Sequence, residues 1–83
     1  MNNEDKYFHI MSKYMNNKND KAFKDMLYIN CIIDMKELLS SDADEFNKEL
    51  FRKGSSIENN NLISKNDKEI IHEHIRENLI IPS

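Results

Sequence analysis

The stretch EIIHEHIREN at residues 69–78 sets His72 and His74 one residue apart among acids and an arginine. An H-x-H pair could grip a metal ion on a strand, where residues i and i+2 share a face. On a helix each residue turns by about 100°, so the two imidazoles point about 200° apart and cannot reach one ion. Ile70, Ile71, Ile75 and Leu79 follow helical spacing, and the segment is therefore read as a helix that divides the pair. Glu69 and His72 do share a face, and E-x-x-H is half of the carboxylate-bridged di-iron signature. That site needs a second E-x-x-H and two more carboxylates from facing helices, and the chain has no second copy. No metal and no cofactor are expected. Glu69, His72, Glu73 and Arg76 read instead as a solvated ion-pair face. His74 falls in the apolar arc with Ile70, Ile71 and Asn78. It is expected to be half-buried, hydrogen-bonded to Asn78, and a candidate pH-sensitive group.

The remaining reactive groups narrow the chemistry further. Cys31 lies in the most apolar part of the chain, where a thiol is expected to pack and its thiolate is disfavoured. It is the only cysteine, so no internal disulfide can form. A chain with one glycine, Gly54, cannot build the glycine-rich loops that cradle phosphate in Walker and dinucleotide sites. No enzymatic activity is expected on these grounds.

Gly54 and Pro82 are the only strong helix breakers in 83 residues, so helices must carry these groups. Residues 4–15 place Tyr7, Phe8, Met11, Tyr14 and Met15 on one helical face behind two acids, which predicts a short amphipathic helix. Asn16 to Asn19 is the predicted connection, with Asn19 or Asp20 capping the next helix. From Lys21 to Leu39 the apolar residues, Cys31, Met35 and Leu38 among them, cover more than one face. This predicts a central second helix contacted from several sides. Ser40 or Ser41 is the expected cap of a third helix, through the S-x-x-D pattern at 41–44, with Ala43, Phe46, Leu50 and Phe51 inward. Arg52, Lys53 and then Gly54 mark its predicted end. Residues 55–63 read as a polar connection tacked down by Ile57, Leu62 and Ile63. Ser64 or Asn66 should cap a fourth helix from Asp67 to Leu79, with Pro82 closing the chain. The expected fold is all-α: one domain over residues 1–83, a compact bundle of about four helices with the second in the centre. Hydrophobic residues are 39% and charged residues 33%, enough apolar material for one core and little more.

Charge is the last guide to function. The formal net charge is −3, and the acids concentrate in the second half of the chain. Asp34, Glu37, Asp42, Asp44, Glu45 and Glu49 gather around the junction of the second and third helices, a candidate contact for a basic partner surface. The stripe of Tyr7, Met11 and Tyr14 either closes the core or covers another subunit. A helix-turn-helix reader would need a basic recognition helix, whereas the third and fourth helices are mixed in charge. No apolar run approaches the roughly 20 residues that cross a bilayer. The opening MNNEDKYF lacks the basic and apolar regions of a secretory signal, so a cytoplasmic setting is expected. The leading expectation is a small non-catalytic regulator or inhibitor that acts on a larger protein partner, with a homodimer as a candidate arrangement. The alternative is a dimeric nucleic-acid-binding transcriptional regulator using Lys21, Lys24, Arg52 and Lys53.

Overall fold

Each long helix exists because it carries a row of side chains at three- and four-residue spacing that can be removed from water together. The computed structural model describes residues 2–16 and 20–81. Helix α1 (Asn3–Asn16) is opened by the Asn2 side chain, which accepts from the Asp5 amide at 2.8 Å, and it buries Tyr7, Ile10 and Tyr14. Helix α2 (Asp20–Asp34) buries Ala22, Asp25, Met26, Ile29 and Ile32. A short α3 (Lys36–Leu39) and a 3-10 turn (Ser40–Asp42) lead into α4 (Ala43–Glu58), which buries Phe46, Leu50, Gly54 and Ile57. Helix α5 (Lys65–Asn78) buries Asp67, Ile71, His74 and Ile75. The predicted connection at Asn17 to Asn19, the alternative cap at Asn19 and the closing Pro82 lie outside the described residues.

The four long helices form a ring in which α1 packs on α2 and α5, and α4 packs on the same two. Contacts fix the directions: Asn3 meets Glu77 and Lys13 meets Asp67 across α1 and α5, while Tyr28 meets Glu49 and Lys21 meets Ser56 across α2 and α4. Glu58 meets His72, and Asn47 meets Ile80, across α4 and α5. Neighbours are thus antiparallel, the up-down-up-down order of a simple four-helix bundle. The all-α bundle of about four helices expected from periodicity is the fold observed.

Several local expectations are corrected. Helix α2 sits between α1 and α4 but buries one stripe only; Leu27, Tyr28, Cys31, Met35 and Leu38 face solvent, so Cys31 is an exposed thiol. The helix does not run unbroken to Leu39. At Met35 the backbone leaves the helix at φ −91°, ψ 9°, and its amide is shared between the carbonyls of Cys31 and Ile32. Phe8, Met15, Phe51 and Leu62 are likewise exposed, and Ile10 occupies the face assigned to Phe8 and Met15. The cap of α4 is Asp42, whose Oδ1 accepts from the Glu45 amide at 3.2 Å; Ser40 instead donates to the Glu37 carbonyl. Ser64 does cap α5, accepting from the Asp67 amide at 3.2 Å.

The largest correction concerns Gly54, which is a mid-helix residue and not a stop. Helix α4 continues for another turn to Glu58 and ends where the Asn59 amide reaches the Ser55 and Ile57 carbonyls. The glycine is there for close approach. A Cβ on it would lie 3.3 Å from the Ile75 Cδ1 and 3.8 Å from the His72 Nδ1 of α5. Arg52 and Lys53, read as a cationic helix end, are engaged from mid-helix by Glu49 and Asp25. Gly54→Ala should leave stability within about 1 kcal/mol of wild type, because better helix propensity offsets the tight contact. Gly54→Val should cost about 1–3 kcal/mol by overpacking against Ile75, as read by urea denaturation followed by circular dichroism. A cost for alanine equal to that for valine would refute this packing role.

Candidate functional site

The break at Met35 creates the most distinctive surface. By ending α2 and turning through α3 and the 3-10 segment, the chain leaves a groove of about 280 Å³ between α2 and the first turns of α4. Its floor is Tyr28, Ile32, Met35, Leu39 and Phe46, and its rim is Asp42, Glu45 and Glu49. Met35 is 45% exposed, Tyr28 42%, and neighbouring Leu38 79%. Tyr28 and Met35 thus hold part of their apolar surface in water beside the buried Ile32 and Phe46. Tyr28 is positioned: its hydroxyl donates to the Glu49 Oε2 at 3.3 Å, and the Lys53 ammonium lies 4.7 Å from its ring centre. Arg52 donates to the same Glu49 oxygen at 2.8 Å and, with Tyr28, holds the Glu49 carboxyl below its ordinary range.

The six acids expected to act together are divided. Asp42, Glu45 and Glu49 line the groove, with Asp42 also spent on capping α4. Asp34 lines a separate pocket at the same C-terminal end of α2, and Glu37 and Asp44 are exposed outside both linings. Of the two readings of the Tyr/Met stripe, core closure is the one observed and the contact face is corrected. Tyr7 and Tyr14 are buried and Met11 is partly buried, so the two tyrosines close the core and do not present a contact face. Tyr7 donates to the Met26 carbonyl of α2, and burial, followed by the nearby Asp25 and Cys31, pushes its phenol up.

Two buried carboxylates were missed by sequence reading. Asp25 accepts from Ser56 at 2.6 Å and pairs with Lys21 at 3.1 Å and Lys53 at 3.4 Å. Asp67 accepts from Lys13 and from Tyr14, each at 2.8 Å, and the Tyr14 hydroxyl in turn accepts from the Ser64 amide at 3.2 Å. Burial works to raise both carboxyls, but these donors outweigh it and hold both below their ordinary values. The available signal was phase: Asp25 is three residues before Tyr28 but also one turn before Ile29, inside the buried row. Asp67 stands one turn before Ile71.

The histidines separate as helical rotation requires. His72 turns toward α4, where its Nε2 lies 2.8 Å from the Glu58 Oε2, and so pairs across helices and not with Glu69, which is exposed. Arg76 and Glu73 form the expected pair at 2.6 Å. His74 turns inward, 4% exposed, with its ring stacked on Tyr7 at 4.2 Å and 25°. Its expected bond to Asn78 is corrected: the Asn78 amide donates to the His74 backbone carbonyl at 2.8 Å, and the buried Nε2 has no partner.

The fold and its surface define a small all-α bundle with an acid-rimmed apolar groove. Set against protein-family models, curated proteins and solved structures, the chain matches none of them. Among the described residues no helix is long and apolar enough to cross a membrane.

The ionisation of His74 has a measurable consequence. Burial lowers its pKa below the ordinary 6.5, against opposing effects from Glu4 of α1 and Glu77 of α5; Asp34 of α2 lines the same pocket, and Tyr7 of α1 faces the ring as a neutral phenol. The unfolded chain therefore binds a proton that the folded chain refuses. Stability is full above 6.5 and declines as pH falls below it. Asp25 and Asp67 contribute above 3.8, and their share is lost as pH falls below that value. Urea midpoints measured against pH should show the upper decline in wild type, and His74→Phe should flatten that decline while leaving the acid-side loss. An unchanged upper decline in the variant would refute the assignment.

Proposed function

We propose that this protein is a small non-catalytic regulator or inhibitor that works by occupying a surface of a larger protein partner. The observation that carries this reading is the groove between α2 and α4, with its exposed Tyr28 and Met35 and its rim of Asp42, Glu45 and Glu49. An apolar floor with an acidic rim suits an amphipathic helix that presents apolar anchors flanked by lysine or arginine. The floor supplies the burial, and the rim supplies steering and register. Self-association through the same face is disfavoured. A two-fold axis would set one acidic rim against its copy, so any homodimer would use another surface. The nucleic-acid alternative loses support from the same ion pairs. Lys21 and Lys53 are engaged by Asp25, and Arg52 by Glu49, so that among the described residues Lys24 is the one of the four proposed phosphate contacts without a carboxylate partner.

The test is partner capture from native cells followed by titration of the recovered partner. The double variant Met35→Glu, Glu45→Lys should weaken binding by about tenfold or more, and Leu62→Glu, on the loop after α4, should bind as wild type. Wild-type binding should also weaken as salt is raised. A partner held equally by wild type and by the groove variant would overturn the assignment, as would the absence of any stoichiometric partner.

A further inference from the structure

Helix α4 carries a second exposed stripe, turned away from the residues Glu45, Phe46 and Glu49 that it gives to the acid-rimmed groove. Lys48, Phe51, Ser55 and Glu58 recur at three- and four-residue spacing and all are exposed, Phe51 by 57%. Beside Phe51 the seam between α4 and α5 opens into a hollow of about 310 Å³. Its floor is Leu50, Gly54 and Ile75, its sides include Phe51 and Ser55, and its rim carries both signs of charge, Glu58 and Arg76. An apolar cavity of about 150 Å³ admits benzene, so this hollow has room for a phenyl ring.

A protruding ring and a hollow thus lie one turn apart on the same helix. Phe51 and Ser55 stand two residues on either side of position 53, and Lys48 and Glu58 stand five residues on either side of it. A two-fold axis through the stripe at that level lays two copies of α4 antiparallel, each residue facing its counterpart across the centre. Phe51 then lies over Ser55 and Gly54 of the second copy, and Lys48 lies opposite Glu58. The two Phe51 rings are offset by about 6 Å along the helices, a separation at which aromatic side chains attract.

The charges agree with this pairing. Among the described residues Lys48 has no carboxylate partner. The Glu58 side chain is 62% exposed and meets His72 through Oε2, which leaves Oε1 for a second donor. Arg52, beside the axis in sequence, is turned off the stripe and held by Glu49 at 2.8 Å, so like charges are not forced together at the centre. The groove would set acid against acid in a two-fold contact, whereas this stripe sets lysine against glutamate twice.

We propose that this face is the contact between two copies of the chain: α4 packs antiparallel on α4 about a two-fold axis, each Phe51 enters the hollow of the other copy, and each Lys48 meets the other copy's Glu58. Because the groove lies on another side of α4, it stays open to a different protein, and failure of either reading leaves the other standing.

Sedimentation equilibrium of the full chain from about 10 μM to about 1 mM should show reversible dimerisation with a Kd on the order of 100 μM, as suits a contact centred on one pair of helices. Phe51→Ser should raise that Kd about tenfold or more, and Met35→Glu, in the groove, should not change it. Lys48→Glu and Glu58→Lys should each raise it about threefold to tenfold, because each puts two like-charge pairs across the axis. An equimolar mixture of these two variants should recover wild-type association as a heterodimer, since both cross-axis pairs are again of opposite charge. Circular dichroism checks that each variant keeps its helices. A chain that stays monomeric throughout the range, a dimer that Phe51→Ser leaves intact, charge variants that associate as wild type, or a mixture that associates no better than either variant alone would overturn the proposal.

Discussion

A carboxylate taken out of water has to be paired, and the bundle is arranged around two of them. Asp25 is met from its own helix by Lys21 and from α4 by Lys53 and Ser56; Asp67 is met from α1 by Lys13 and Tyr14. Rows of isoleucine and leucine tolerate sliding, because apolar contact is non-directional. A slip of one helical turn, about 5.4 Å, would instead strand a buried charge, and breaking such a pair costs about 3–5 kcal/mol. The two clamps thus pin α2 to α4 and α1 to α5. The Tyr7 bond to the Met26 carbonyl joins the two halves.

The same requirement shapes the outside. Pairing the buried acids draws Lys13, Lys21 and Lys53 toward the core, and Glu49 and Glu73 hold Arg52 and Arg76. These five cations are therefore committed, while Asp42 and Glu45 stand at the rim of an apolar groove and Glu4 and Asp34 at a second pocket. A net charge of −3 understates this polarity, because it counts paired and unpaired groups alike.

The helical class and the number of long helices were legible in the sequence because periodicity survives any local misreading. The boundaries and faces were not, and the reasons differ by residue. In α2 the count of apolar types suggested burial all round, but the buried row is Ala22, Asp25, Met26, Ile29 and Ile32, in which an alanine and an aspartate hold places that hydrophobicity would not assign. Phase was informative there and composition was not. Gly54 follows Arg52 and Lys53 as a helix-ending glycine would, and nothing local separates that role from a close helix crossing; Ile75, 21 positions later, decides it. The division of His72 from His74 was legible because rotation per residue does not depend on context. Their partners, Glu58 and Tyr7, come from other helices and were not.

Those partners give two nearly adjacent histidines opposite work. His72 faces the end of α4 and closes the α4–α5 seam from outside, in contact with solvent. His74 lies at the α1–α5 seam with a ring that phenylalanine could match in the stack on Tyr7, without carrying a buried nitrogen that nothing satisfies. In a domain whose whole stability is on the order of 5–15 kcal/mol, a cost of about 1–3 kcal/mol at one atom is a large fraction. Packing alone therefore favours a hydrocarbon at this position.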